Sequence, residues 1–346
     1  MLKTERVVHR RLALFLVCAG WVCAGWVLWP ACASAGDGPA GDDRGVLTLL
    51  LENDLFFHTD RDYTNGVLAA YTTAPDDTPD WAVRAARRLP LFPEGGIVRT
   101  SYSFGQNMYT PTDISLVNPP LTDRPYAGFL YGAIGLLADN GQQLDQLQLQ
   151  FGMVGPASLA EQAQKFVHKI VHAGAPKGWD TQLKNEPGLV LIYERSWRAY
   201  VSGKALGLSF DLDPHLGGAI GNVYDYVNAG VMVRIGFELP NDYGPMRIDP
   251  AMPGANFYEP QDDGFSWYLF AGMDGRAIAR NLFLDGNSFV NSRSVDKLPL
   301  VGDLQFGAAI SYARVRIAFT HVFRTKEYRT QPGVDQFGAV SLSFRF

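Results

Sequence analysis

The stretch Leu144-Asp145-Gln146-Leu147-Gln148-Leu149-Gln150-Phe151-Gly152-Met153 decides the fold. Leu147, Leu149, Phe151 and Met153 take one face of an extended chain, and Gln146, Gln148 and Gln150 take the other. A soluble sandwich can show the same period, but three stacked glutamines need a second face that meets water. In a membrane barrel the apolar set faces lipid and the glutamines line a polar interior. Further short alternating runs are expected at 45–54, 63–73, 99–108, 126–138, 187–198, 203–214, 224–238, 265–275, 277–286, 302–313, 315–326 and 336–346, with the quoted strand at 143–154. That makes thirteen, and single-chain bacterial barrels have even strand numbers. The two runs within 265–286 are best joined through Gly275. The expected fold is therefore all-β: a transmembrane antiparallel β-barrel of about twelve strands with a short inserted helix.

The end of the chain carries an independent signal. Val340, Leu342, Phe344 and Phe346 alternate with Ser341, Ser343 and Arg345, and the last residue is aromatic. Such a strand resembles the signal that outer-membrane barrels present to the barrel assembly machinery, with Phe346 as the residue read. An open edge here would invite aggregation, whereas closure pairs it with the first strand. Tyr102, Tyr109, Tyr126, Tyr131, Trp197, Tyr200 and Trp267 fall near strand ends, as interfacial girdles require.

The beginning reads as an export signal. Lys3, Arg6, Arg10 and Arg11 form a basic region, Leu12 to Leu28 is apolar, and Ala33-Ser34-Ala35 supplies a cleavage pattern before Gly36. Residues 1–35 are thus expected to be a cleaved signal peptide and 36–346 a single outer-membrane domain. The leader holds Cys18, Cys23 and Cys32, the three cysteines of the 346-residue chain. Disulfides and thiolate metal sites are then excluded from the remainder. The whole chain carries a formal charge of −5, and no basic run points to nucleic acid. No later stretch of about 18 apolar residues reads as a transmembrane helix.

Two stretches break the strand rhythm. Residues 239–264, rich in Pro, Gly, Asn and Asp, read as a long loop. Residues 157–173 read as a helix, with Leu159, Ala163, Phe166, Val167, Ile170 and Val171 at helical spacing between Gly155-Pro156 and Gly174-Ala175-Pro176. A helix between two barrel strands has no part in closing a barrel. It carries Gln164, His168 and His172 at i, i+4, i+8, so the three are expected on one face. The other unusual cluster is Glu52-Asn53-Asp54 with Asp60, Asp62, Tyr63, Thr64, Asn65 and Gly66. Glu52 and Asp54 share parity with Thr48, which points both carboxylates into a barrel. Carboxylates at membrane depth are functional candidates by default.

Several of these segments occur together in fixed order: Glu52-Asn53-Asp54, Asp62-Tyr63-Thr64-Asn65-Gly66, Asp123-Arg124-Pro125-Tyr126-Ala127-Gly128, and Gln164-x-x-x-His168 with Gly178-Trp179-x-x-Gln182. From about residue 46 to the C-terminus the chain resembles the outer-membrane lipid A 3′-O-deacylases. The resemblance implies a twelve-stranded barrel with a calcium-dependent esterase site at the outer-leaflet end. Its substrate would be the 3′-O-linked acyloxyacyl chain of lipid A (lipopolysaccharide), reached among outer-membrane lipids. It further implies His168 as the general base that takes a proton from water, with Asn53 and Asp54 as the family's Asn-Asp pair. Asp54 would hold Ca²⁺, with Glu52 as a second candidate ligand, and Thr64 and Gln164 would stand in support.

The chemistry is coherent in its own terms. Calcium prefers oxygen ligands and can stabilise an oxyanion, and imidazole can activate water near neutral pH. No Gly-x-Ser-x-Gly motif supplies a nucleophilic serine. One departure stands out: relatives can carry an acidic residue six positions after the histidine, and this chain has Gly174. A further metal carboxylate would then come from Glu52, Glu161 or Asp180. His168 and His172 could pair on a transition metal, but no third nitrogen ligand is evident. Asp123 and Arg124 could instead form an inward ion pair. The rival readings are a barrel phospholipase A and a porin-like or structural barrel without catalysis.

Overall fold

The computed structural model describes residues 44–54, 62–259 and 264–346. The proposed signal peptide lies outside the described residues, as does Asp60. Thirteen strands form one antiparallel sheet: β1 (Val46–Asn53), β2 (Asp62–Thr72), β3 (Ile97–Thr110), β4 (Ala127–Asp139), β5 (Gln143–Val154), β6 (Glu186–Trp197), β7 (Val201–Ala205), β8 (Leu208–Gly221), β9 (Tyr224–Phe237), β10 (Phe265–Asn281), β11 (Leu300–Tyr312), β12 (Val315–Arg324) and β13 (Asp335–Arg345). Each pairs with its neighbour in sequence, β1 pairs with β13, and β6 skips β7 to pair with β8 from Val190↔Gly221 to Ser196↔His215. The sheet therefore closes. β7 pairs with β8 alone, so twelve strands make the wall.

Two strand expectations change in detail. The run 203–214 is a hairpin: Leu206 and Gly207 take positive φ (53° and 81°), separating β7 from a much longer β8. The pair 265–275 and 277–286 is indeed one strand through Gly275, but it ends at Asn281, where Leu282–Asp285 turns into a short helix.

The quoted strand behaves as its alternation requires. Gln146 donates to Gly254 O, and Gln148 and Gln150 both donate to the Asp249 carboxylate inside the barrel. On the other face Leu149 and Phe151 are exposed, joined around the wall by Leu191, Leu269, Ile310 and Phe319. This is the apolar band of a transmembrane barrel, and the chain crosses the membrane with strands.

The lumen is filled. Residues 239–259, expected as a loop, enter it: Arg247 binds Glu52, Asn256 donates to Thr72, and Arg276 and Arg324 donate to Pro250 O. Asp242 is held between Arg234 and Arg316, and Asp303 between Arg276 and Arg324. Above this charged layer Tyr63, Tyr109, Phe129, Tyr131, Tyr224 and Phe283 form an apolar core. Tyr109 and Tyr131 are thus core residues and not the girdle members they were expected to be, while Tyr102 and Tyr200 do face outward. A lumen packed in this way counts against a porin.

The termini lie with the short turns 140–142, 206–207 and 313–314 at one end. The connections 111–126, 155–185, 282–299 and 325–334 lie at the other, and although 73–96 is on the side of the termini, most of the longer ones mark this as the extracellular end by the usual asymmetry of such barrels. A helix that the sequence did not suggest, α1 (Asp80–Ala86), caps the periplasmic end. The inserted helix α2 (Ala160–Val171) stands at the extracellular end; α3 is Leu282–Asp285.

Candidate active site

Register builds the site. Across β1, β2, β3 and β4 the partners run Asn53↔Asn65, Asn65↔Met108 and Met108↔Gly128. All four lie on the outer face of the wall, since their neighbours Glu52, Asn107 and Phe129 point into the lumen. Strands stand about 4.8 Å apart, so this row spans roughly 14 Å. A β-bulge sets it. Thr64 is skipped between Tyr63↔Tyr109 and Asn65↔Met108, which allows Tyr63 to pack inward on Phe337 while Asn65 faces out. Thr64 is buried and shares a 2.6 Å hydrogen bond with Thr110 on β3. Bulges recur beside active sites because they re-aim side chains in this way.

Gly128 ends the row and seats the helix. A Cβ there would lie 2.2 Å from Ser158 Oγ and 2.3 Å from Ala160 Cβ, so only glycine lets the segment close on the wall. Gln106 Nε2 donates to Ser158 O (2.6 Å), and Met108, Tyr126, Ala160 and Trp179 pack together. α2 therefore lies on the lipid-facing side of the barrel near its outer rim.

The helix lays one face on the wall and leaves Gln162, Lys165, Phe166 and Lys169 exposed. Ala160, Gln164 and His168 are its buried stripe, while Leu159 and Phe166 are 53% exposed. It is shorter than the expected 157–173: a 3₁₀ turn, Pro156–Ser158, precedes it and Leu159 takes φ 59°. His172 is its C-cap, with φ 56° and an exposed side chain, so it does not continue the Gln164/His168 stripe.

Both buried polar groups are oriented. His168 Nδ1 lies 2.5 Å from Gly174 O. A carbonyl only accepts, so Nδ1 carries the proton and Nε2 is the basic nitrogen of the neutral ring. Trp179 Nε1 donates to Gln164 Oε1 at 2.7 Å. Indole only donates, so the amide oxygen faces the ring and the NH₂ end points elsewhere.

The structure thus gathers Asn53, Thr64, Gln164 and His168 on one side of the wall, with Asp54, fully buried, as the residue that follows β1. It does not bring Glu52 to them. That carboxylate faces the lumen on the opposite side of β1, 2.5 Å from Arg247 Nε and 3.2 Å from the Ile248 amide. Glu161 pairs with Lys165 on α2, and Asp180 is exposed. Among the described residues no group of three or more His, Asp or Glu side chains is placed to hold a metal ion. The Asp123 carboxylate accepts from the Arg124 backbone N–H and from Tyr328 OH, while the Arg124 guanidinium is bound to Glu327 at 3.1 Å. The Gly174 carbonyl and Thr110 were missed, the first because any residue could supply it.

A membrane β-barrel with a polar site between its lipid-facing wall and a surface helix is the class that this fold and site define. The family model for "Outer membrane protein LpxR" matches residues 14–346, and the chain belongs to that family of outer-membrane proteins. Among solved structures, LpxR from Salmonella typhimurium matches with a TM-score of 0.70 and 21% identity over 87% of this chain and all of that one, a likeness of fold. An outer-membrane channel from Pseudomonas putida F1 covers 91% of this chain at 8% identity, but its TM-score of 0.41 carries no argument. No curated protein matches by sequence.

Proposed function

We propose that this protein hydrolyses the 3′-O-linked acyloxyacyl ester of lipid A in the outer leaflet, with His168 as general base. The observation that carries the reading is the buried polar stripe of α2 against the outer face of the wall. Gln164 and His168 are buried there near its rim, with Leu159 and Phe166 exposed nearby. A substrate with its acyl chains still in the bilayer can reach such a site sideways. His168 Nε2 takes a proton from water, the water oxygen adds to the ester carbonyl carbon, and the carbon–oxygen bond to the sugar breaks. The proton then passes to the departing 3′ oxygen, giving a free fatty acid and a hydroxyl. The Gln164 NH₂ is suited to donate to the developing oxyanion.

Calcium is the proposed cofactor. The donors at hand, Asp54, Asn53 and Thr64, are all oxygen and include one carboxylate, which suits a hard cation held weakly, with water or substrate oxygens completing its shell. Bound there, it would polarise the ester carbonyl.

Mass spectrometry of lipid A from cells making the protein is the test, with calcium supplied or chelated. Calcium-dependent loss of one acyloxyacyl unit is expected, and His168→Ala should lower the rate about 10²–10⁴-fold. Intact deacylation by a folded His168→Ala protein would sink the assignment, and altered phospholipids beside intact lipid A would mark a phospholipase.

A further inference from the structure

The wall opposite the candidate site has a groove of its own. On β9, β10, β11 and the start of the 325–334 loop, Ala229, Gly275, Gly302 and Thr325 line two adjoining depressions of about 860 and 650 Å³. Register places the first three side by side, Ala229↔Gly275↔Gly302. All face outward, at the extracellular end of their strands. Val227, Met273, Leu300 and Val334, each at least half exposed, form the ridges around this floor. β10 and β11 stand about half a turn of the barrel from β2, β3 and β4, so the groove is separate from the site under α2.

The small residues on the floor are not there for the protein's own packing. Elsewhere in the wall a glycine is needed because a Cβ would strike a neighbour: 2.1 Å from Leu130 O at Gly152, 2.0 Å from Trp267 O at Gly236. At Gly275 the nearest atom to a built Cβ is Ala229 O at 3.9 Å, and at Gly302 it is Asp274 O at 3.7 Å. Both are ordinary contacts, and neither glycine has a positive φ. Glycine in a strand interior weakens the strand, and one explanation is the close approach of a ligand. The room is kept for something outside the chain. The exposed Lys326 stands at the groove's extracellular edge, whereas Asp274, Arg276 and Asp303, which also border it, turn their side chains to one another in the lumen. The neighbours of Lys326, Arg324 and Glu327, turn inward to Asp303 and Arg124.

We infer that this groove is a binding site for an acyl chain of a phosphate-bearing glycolipid of the outer leaflet, lying over Ala229, Gly275 and Gly302 with its phosphate on Lys326. The groove is open along its length, as a chain lying in the leaflet requires, the floor and ridges are apolar, and the cation lies where the headgroup of such a chain would be. The inference is independent of the reaction under α2.

Native mass spectrometry of the purified barrel, in micelles doped with lipid A, dephosphorylated lipid A or phosphatidylglycerol, tests it. The wild type should retain one more lipid A than Gly302→Leu, which fills the floor with a side chain suited to a lipid face. Lys326→Glu should weaken retention of lipid A about tenfold and leave dephosphorylated lipid A unaffected. Both variants should keep the heat-modifiable gel mobility of a folded barrel and the wild-type rate of deacylation. Equal retention by wild type and Gly302→Leu would overturn the inference. So would equal retention of phosphatidylglycerol, the mark of unselective boundary lipid. A wild-type dimer lost in Gly302→Leu would also overturn it, making this face an interface between copies.

Discussion

At the scale of single residues, the site depends on two hydrogen bonds that fix which atom does what. Trp179→Phe keeps a ring against Tyr126, now 4.8 Å between centroids, but removes the N–H that holds Gln164 Oε1. Turnover should fall at least about tenfold, the equivalent of 1.4 kcal/mol in barrier, with little change in KM; an unchanged kcat would show that Gln164 needs no such partner. Gly174 has nothing within 4 Å of a built Cβ, so Gly174→Asp should fold, keep its carbonyl on His168 Nδ1 and add a carboxylate beside the site. Tighter calcium binding by calorimetry is expected, starting from the weak range of about 10⁻⁴–10⁻³ M typical of extracellular modules. Equal affinities in the two proteins would remove this position from the metal's surroundings. Gln164 and His168 were legible because helical spacing and the shared segments both singled them out. The Gly174 carbonyl was not, since a backbone oxygen leaves no mark in a sequence. Nor was the separation of Glu52 from Asn53, because alternation assigns faces without naming the partner, Arg247, that waits across the lumen.

At the scale of elements, α2 shows what periodicity can and cannot say. A helix with its apolar residues at regular spacing was plain from 157–173, but the pattern does not state which solvent the apolar side meets. Phe166, expected in an apolar stripe, is exposed beside Lys165 and Lys169, and the buried face belongs to Ala160, Gln164 and His168, because it meets a polar site on the wall. Its anchorage is equally hidden: Gly128 is three strand positions from Asn53 by register and far from Ala160 in sequence. Gly128→Leu should lift α2 from the wall, since even a Cβ would lie 2.2 Å from Ser158 Oγ. The barrel itself should still close, because its ladders do not involve that side chain. Deacylation should drop by about 10²-fold or more, as expected when catalytic groups are displaced by an ångström or so. A variant with normal gel mobility and full activity would mean that the helix finds its place without this seat.

At the scale of the whole molecule, the alternating strands announced a barrel but not what fills it. Residues 239–264 read as a loop because their Pro, Gly, Asn and Asp suit irregular backbone. The place of 239–259 inside the lumen follows from inward charges that need partners, and those partners lie far apart in sequence. The Glu52–Arg247 pair shows the consequence. Both side chains are about 1–2% exposed, and Arg247 also donates to Gln305 at 2.8 Å. Taking one partner away strands the other charge in a poorly solvated interior, whereas taking both away removes the burden of burying either. Glu52→Leu alone should therefore lower unfolding stability by about 3–5 kcal/mol, read as a lower urea midpoint for the barrel refolded in vesicles. Glu52→Leu with Arg247→Met should recover most of that loss. If the double variant is as weak as the two single losses added together, the pair is not coupled and the lumen segment is held by its other contacts. Recovery would show instead that the ion pair selects where the lumen segment sits more than it strengthens the fold. The same cycle bears on the reaction: Glu52 lies across the wall from Asn53, so a recovered double variant should also deacylate lipid A at the wild-type rate.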